Sequence, residues 1–204
     1  MTRLAVIDHG AGNLVSVARA LERNGARVDI VTSPAGLGAC DGVVLPGVGT
    51  TGAAMERLRA QGLVAALDAW DGPLLGICVG LQLFFDTSDE DDTACLGFIE
   101  GRTALLESAP LLPHIGWNDV ELAPDPLFAG LGSSTLFYFV HSYAPVPDNP
   151  DDAIGWSEYG ERFVAAVRRG ERVGVQFHPE RSGKAGLAVL ANFIAECRRG
   201  RRAA

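Results

Sequence analysis

The first eighty residues alternate between two hydrophobic periods, and that alternation limits the fold more than any single residue does. "LAVID" (4–8) is a continuous apolar run of buried-strand length. "NLVSVARALERNG" follows with Leu14, Val17, Ala18 and Leu21 at helical spacing, and Gly25 stands where a helix end favours a left-handed residue. "RVDIVT" (27–32) reads as the next strand, closed by Ser33-Pro34. "GVVLPG" (42–47) reads as a short strand broken by its proline. "TGAAMERLRAQG" and "LVAALDAW" are helical, and "PLLGIC" (73–78) is a strand. Parallel neighbours need a crossover, and each crossover helix covers a face of the sheet. The order therefore predicts an α/β fold in three layers: a mostly parallel central sheet with helices on both faces.

The second half changes character. "TLFYFVHSYAP" (135–145), "AIGWSEY" (153–159), "FVAAVRR" (163–169) and "RVGVQF" (172–177) are strand-like, and "RRGER" is a hairpin turn, which predicts an antiparallel extension. "KAGLAVLANFIAECRR" (184–199) is a closing helix. Without a repeat or a low-complexity linker, residues 1–204 are expected to form a single domain. The acidic stretch "TSDEDDTA" (87–94) reads as a solvated loop.

The net charge of −8 argues against nucleic-acid binding through bulk electrostatics, and the basic tail "CRRGRRAA" reads as a solvated helix end. No apolar run approaches the ~20 residues of a membrane span. Met1-Thr2-Arg3 leads straight into the first strand, so neither a signal peptide nor a membrane association is expected and the predicted location is cytoplasmic. Cys40, Cys78, Cys95 and Cys197 show no C-x-x-C spacing and no neighbouring histidine, which predicts neither zinc nor a disulfide framework. Gly10 and Gly12 precede a helix, but Val15 stands where a dinucleotide fingerprint needs its third glycine. No cofactor and no metal are expected.

One cysteine is placed unlike the others. "G-I-C-V-G" (76–80) is a strand-to-helix turn of the G-x-nucleophile-x-G kind, with Cys78 at its apex. Such an elbow lifts a thiol to the carboxyl ends of the strands, and the following helix start favours a thiolate. By itself the stretch fits a cysteine ending a core strand equally well. "GVQFHPER" (174–181) adds the second piece: His178 at a strand end, then Pro179, then Glu180. Side chains two apart on an extended segment share a side, so Glu180 is expected to hold one imidazole nitrogen while the other faces a thiol. "LPGVGTTG" (45–52), which includes Val48 and Gly49, is a loop whose free backbone amides can form an oxyanion hole with that of Val79.

Together, the cysteine elbow, "PGVG" and "FHPE" resemble the class I, triad-type glutamine amidotransferases. "DHGAGNLVSVARALE", "LPHIGWNDV" (112–120), "FYFVHSYAP" (137–145) and "GVQFHPERSGKAGLAVLANF" (174–193) are similar to the glutaminase subunits of imidazole glycerol phosphate synthases, over nearly the whole chain. The resemblance implies Cys78 as nucleophile, His178 as general base and acid, and Glu180 as its orienter. It implies an oxyanion hole at Val48, Gly49 and Val79, and glutamine-binding positions at Gln82, Glu90, His141, Ser142 and Tyr143. Asn13, Trp117, Asn118 and Arg181 match a face that meets a (β/α)₈ barrel cyclase subunit in a heterodimer. Three departures stand out: Leu81 in place of a common methionine, Ser88-Asp89-Glu90-Asp91-Asp92 in place of glutamates followed by glycines, and Cys95 in place of glycine. Another triad amidotransferase or a γ-glutamyl hydrolase is the nearest rival, and "GWN" and "YFVHSY" argue against it. A non-catalytic subunit on the same fold would be expected to lack Cys78 or His178, and both are present.

Overall fold

The computed structural model describes residues 1–10 and 12–203, with side chains through Arg199; Arg201 and Arg202 of the basic tail lie outside the described side chains. The elements run β1 (Thr2–Ile7), α1 (Leu14–Arg23), β2 (Ala26–Val31), β3 (Gly42–Gly47), α2 (Thr51–Ala60), α3 (Leu63–Asp68), β4 (Leu74–Cys78) and α4 (Val79–Gln82). They continue with β5 (Phe85–Ser88), β6 (Thr93–Ala94), β7 (Ile99–Leu105), β8 (His114–Leu122), β9 (Ser134–His141) and β10 (Tyr143–Pro147). β11 (Ala153–Glu158), β12 (Arg162–Arg169), β13 (Arg172–Val175) and α5 (Gly183–Ala203) complete the chain. No helix among the described residues is long and apolar enough to cross a membrane.

The central sheet has nine strands in the order β2-β1-β3-β4-β13-β12-β11-β8-β9. It is parallel from β2 to β13 and antiparallel from there to β9, so the antiparallel extension is nearly as wide as the parallel part. Passing from β1 to β2 and from β3 to β4 moves the chain in opposite directions across the sheet. With right-handed crossovers, α1 then covers one face and α2 and α3 the other; α5 packs against α1. β1, β3, β4 and β13 are buried almost throughout because helices lie over both of their faces. α1 turns Val17, Ala20 and Leu21 inward and ends at Gly25, whose φ of +80° lets its N–H return to Glu22 O at 2.9 Å.

Three local features differ from expectation. Pro46 does not break β3, since it pairs with Ile77 inside a parallel ladder. "TLFYFVHSYAP" is two strands rather than one: the chain leaves the central sheet at His141 and enters a second sheet at Tyr143, with Ser142 as the joint. That second sheet, ordered β10-β7-β5-β6, has no counterpart in the pattern of the sequence, because its strands are short and half exposed and give no clear period. It lies against β12 and α4 and closes one side of the site.

Candidate active site

α4 lies unusually close to the sheet, and glycine makes the approach possible. A Cβ on Gly80 would sit 1.7 Å from the Leu45 carbonyl oxygen, and one on Gly76 would sit 2.7 Å from Gly80 O. Gly174, beside Gly76 in the ladder, leaves the room that the Leu81 side chain fills. At the top of this packing Cys78 has φ +54° and ψ −112°, a conformation that costs a non-glycine residue about 1–3 kcal/mol. The strain turns the residue out of β4 at the carboxyl edge of the parallel strands.

His178 arrives from β13, next to β4. Its backbone is fixed on both sides: its N–H donates to Tyr138 O at 2.9 Å, and its carbonyl accepts from Ser182 Oγ at 2.7 Å. Nδ1 meets Glu180 Oε1 at 3.0 Å, with both side chains almost wholly buried. Glu180 reaches the ring by a different route from the expected one. Pro179–Arg181 is a 3-10 turn, so the carboxylate curls back onto His178 rather than lying along an extended strand. With Nδ1 committed to Glu180, Cys78 is the other group that interacts with the ring. Burial works to lower the His178 pKa, but the hydrogen bond to Cys78 and its charge, followed by those of Glu180, raise it to about 10. These neighbours favour the protonated form of the ring.

The other thiols have no such partner. Burial pushes Cys40 and Cys197 up, and Cys95 to about 11. Cys40 and Cys95 donate to nearby carbonyls, and Cys197 packs under Gly42.

A cavity of about 280 Å³ opens over Cys78, a volume that suits a small metabolite. Val48, Gly49 and Val79 line it beside the sulfur: Gly47 pairs with Cys78 across the ladder, and Gly49 has φ +92°. Gln82, Glu90, His141, Ser142 and Tyr143 line its far wall. The Glu90 carboxylate accepts from the Thr51 N–H at 3.0 Å, so it caps the start of α2 while facing the cavity. Burial, partly offset by that bond, raises the Glu90 pKa.

The four expected partner-facing residues divide. Asn13 and Arg181 line the mouth of the cavity. Trp117 lies outside it but belongs to the same surface, because Tyr138 packs edge-on to its ring and carries the Arg181 guanidinium 4.1 Å from its own ring centre. Asn118 faces away and donates to Glu158 O at 2.8 Å. Among the described residues no group of three or more His, Cys, Asp or Glu side chains could hold a metal.

The structure adds two residues that sequence reasoning missed. Gln176 presents its amide to Cys78 Sγ, and His114 bonds to His141. A signal for Gln176 was present: it stands two residues before His178 in a strand-like run, so its side chain points to the same side.

Comparison with known proteins finds similarity over nearly the whole chain. A family model described as glutamine amidotransferase class-I matches residues 5–197. The chain is 47% identical over 200 residues to a protein of Synechococcus sp. (strain JA-3-3Ab) named imidazole glycerol phosphate synthase subunit HisH, covering 94% of this chain and 93% of that one. A protein of the same name from Moorella thermoacetica is also 47% identical, with 95% of this chain and 94% of that one covered. Among solved structures, a chain of PurLQS from Thermotoga maritima shares the fold with a TM-score of 0.74 at 18% identity, covering 95% of this chain and 98% of that one. The chain belongs to the class-I glutamine amidotransferase family, within its HisH branch.

Proposed function

We propose that the protein is the glutaminase subunit of an imidazole glycerol phosphate synthase. It hydrolyses L-glutamine through Cys78, His178 and Glu180 and passes the ammonia to a cyclase subunit. The observation that carries this reading is the convergence of Cys78, His178 and Glu180 on one cavity of metabolite size, with His178 Nδ1 bonded to the buried Glu180 carboxylate.

The chemistry follows from the charges. The Cys78 thiolate attacks the glutamine side-chain carbonyl, and the new oxyanion rests against the backbone amides of Val48 and Val79. The His178 imidazolium gives its proton to the departing nitrogen, and ammonia leaves a γ-glutamyl thioester. Forming the thioester removes the sulfur's charge, which is among the main causes of the high His178 pKa. The ring thus becomes a weaker base only after it has lost its proton, with a pKa nearer the ordinary range. It deprotonates water, hydroxide adds to the thioester, and glutamate departs as the thiolate and imidazolium reform. Gln82, Glu90 and the segment His141-Ser142-Tyr143 hold the α-amino and α-carboxylate ends of the substrate.

Residues 1–204 act as one catalytic domain, in the cytoplasm, with no metal or cofactor, membrane or nucleic acid. The partner is a (β/α)₈ barrel, docked in a heterodimer over the face of Asn13, Trp117 and Arg181. It uses ammonia to make imidazole glycerol phosphate and an aminoimidazole carboxamide ribotide in histidine biosynthesis. The test is ammonia release from glutamine by the purified chain, with and without a candidate cyclase and its ligand. Stimulation by the liganded cyclase is expected; stimulation only by another acceptor enzyme would assign the chain to a different amidotransferase.

A further inference from the structure

A buried polar chain runs behind the cysteine, and one backbone carbonyl fixes its direction. Tyr143 O lies 2.9 Å from His141 Nδ1 and 3.0 Å from the Gln82 side-chain nitrogen. A carbonyl only accepts, so both groups facing it donate. This sets the Gln82 amide with its NH₂ toward Tyr143, and its second N–H reaches Gln176 Oε1 at 3.1 Å. Gln176 is thereby oriented too: its carbonyl faces Gln82, and its own NH₂ lies 3.6 Å from Cys78 Sγ. Gln176 is fully buried and Gln82 nearly so, so neither amide can turn to water instead.

We propose that Gln176 is a catalytic residue of the amidotransferase reaction, donating its amide N–H to the Cys78 thiolate while its carbonyl locks Gln82 facing the substrate. The inference rests on the reading of Cys78 as the nucleophile. Two neighbours of the sulfur have opposite preferences. Val140 O, 3.7 Å away, can accept only from the thiol, so its bond is lost on ionisation. The Gln176 N–H is a weak partner for a thiol and a strong one for an anion, and ionisation strengthens that bond. Of the titratable groups near the sulfur, His178 supplies the opposing charge with Glu180 behind it, and His141 stays neutral. Gln176 adds a neutral donor on a second side, which holds the sulfur in line when the imidazolium gives its proton to ammonia.

The test separates this role from simple packing. Gln176→Met keeps the length and removes both hydrogen-bonding ends. Gln176→Glu keeps an acceptor for Gln82 and removes the N–H toward sulfur. The readouts on the full chain are the pH midpoint of Cys78 alkylation by iodoacetamide, located by peptide mass spectrometry, and kcat and KM for glutamine. The alkylation midpoint is expected to rise by about one pH unit in Gln176→Met, which has no donor to offer the sulfur. KM should rise in Gln176→Met, whereas Gln176→Glu should lose kcat with KM near the parent's. An unmoved midpoint in the folded Gln176→Met variant overturns the proposal. Should that variant not fold, the Gln176 side-chain amide protons of the unaltered chain decide by NMR: they should shift with the alkylation midpoint, and their standing still overturns it. Cys78→Ala separates the two layers of the argument. If it keeps glutaminase activity, the nucleophile assignment and this inference both fall. If it is inactive and the Gln176→Met midpoint is unmoved, the triad stands without Gln176.

Discussion

Four cysteines with four environments make a direct test at the scale of single residues. Cys78→Ala should abolish ammonia release, because no other nucleophilic thiol lines the cavity beside His178. Cys40→Ala, Cys95→Ala and Cys197→Ala should each keep most of the activity, since their thiols donate to carbonyls or fill space away from the cavity. Loss of activity in one of those three, with Cys78→Ala active, would move the nucleophile to that thiol. Glu180→Gln keeps the size of the side chain and loses its charge. Glu180 is among the groups that raise the His178 pKa, so the variant's imidazolium should deprotonate at lower pH. Glutaminase activity should then fall on the order of 10²-fold, with the alkaline limb of its pH profile shifted down. Matching profiles for variant and parent would reduce Glu180 to packing. The grouping of Cys78, His178 and Glu180 was legible in the sequence because each carries a local marker: glycines flanking Cys78, and proline between His178 and Glu180. Strand alternation, which led to the expectation of that pairing, is not what the fold uses; the 3-10 turn makes the contact instead. The signal for Gln176 was weaker: it shares a side with His178 in a strand-like run, but a glutamine there acquires meaning only once the sulfur stands beside it.

The elements of the first half were readable because each buries a face with a definite period, and helix and strand bounds there fall within a few residues of those expected. The second half was less readable for physical reasons. β8 holds Gly116, Trp117 and Asn118 with alternating half-exposure, which resembles neither a buried strand nor a helix. β5 and β6 are too short to show a period, and nothing local to "VHSYA" marks the residue at which the chain changes sheets. The tight seating of α4 belongs to this scale. Gly80→Ala would push a methyl group into the Leu45 carbonyl, where backbone must yield and no side chain can rotate away. We expect a loss of about 3 kcal/mol or more of stability, or displacement of α4 and the elbow with it. Urea unfolding of the variant beside Gly49→Ala checks this: nothing lies within 4 Å of a Cβ at Gly49, although its φ of +92° disfavours a side chain. Equal midpoints for Gly80→Ala and the parent would mean that α4 is not packed as described.

At the scale of the whole molecule, two buried histidines tie stability to pH. His141 is held neutral, mainly by burial, with a folded pKa of about 3 against an ordinary value of 6.5. Between those values the unfolded chain binds a proton that the folded chain does not. Stability is therefore complete above pH 6.5 and declines as pH falls toward 3. Relative to a folded His141→Gln variant, the parent should lose about 1.4 kcal/mol more per pH unit below pH 6.5, read by urea unfolding at two pH values. His178 acts in the opposite sense: its raised pKa gives stability that is complete below its unfolded value and lost as pH rises through about 10. The last prediction concerns control of the reaction. A lone glutaminase that ran at full rate would release ammonia into water, so its resting rate should be low. The loop over the sulfur offers the means. Gly47 is fixed in the ladder beside Cys78, whereas Gly49 sits at φ +92° with open space around it, and Val48 between them is partly exposed at the cavity mouth. A peptide unit held at one end and free at the other can turn its amide toward the oxyanion or away from it. A partner docked over Asn13, Trp117 and Arg181 would reach this mouth, and by binding one arrangement more tightly it would select it. Since one oxyanion donor is worth about 10²–10³ in rate, activation by the liganded partner should be at least of that order. Glutaminase rates of the lone chain, the complex, and the complex with cyclase ligand decide the matter. A lone chain already at the full rate of the complex would leave the Val48 peptide no switching role.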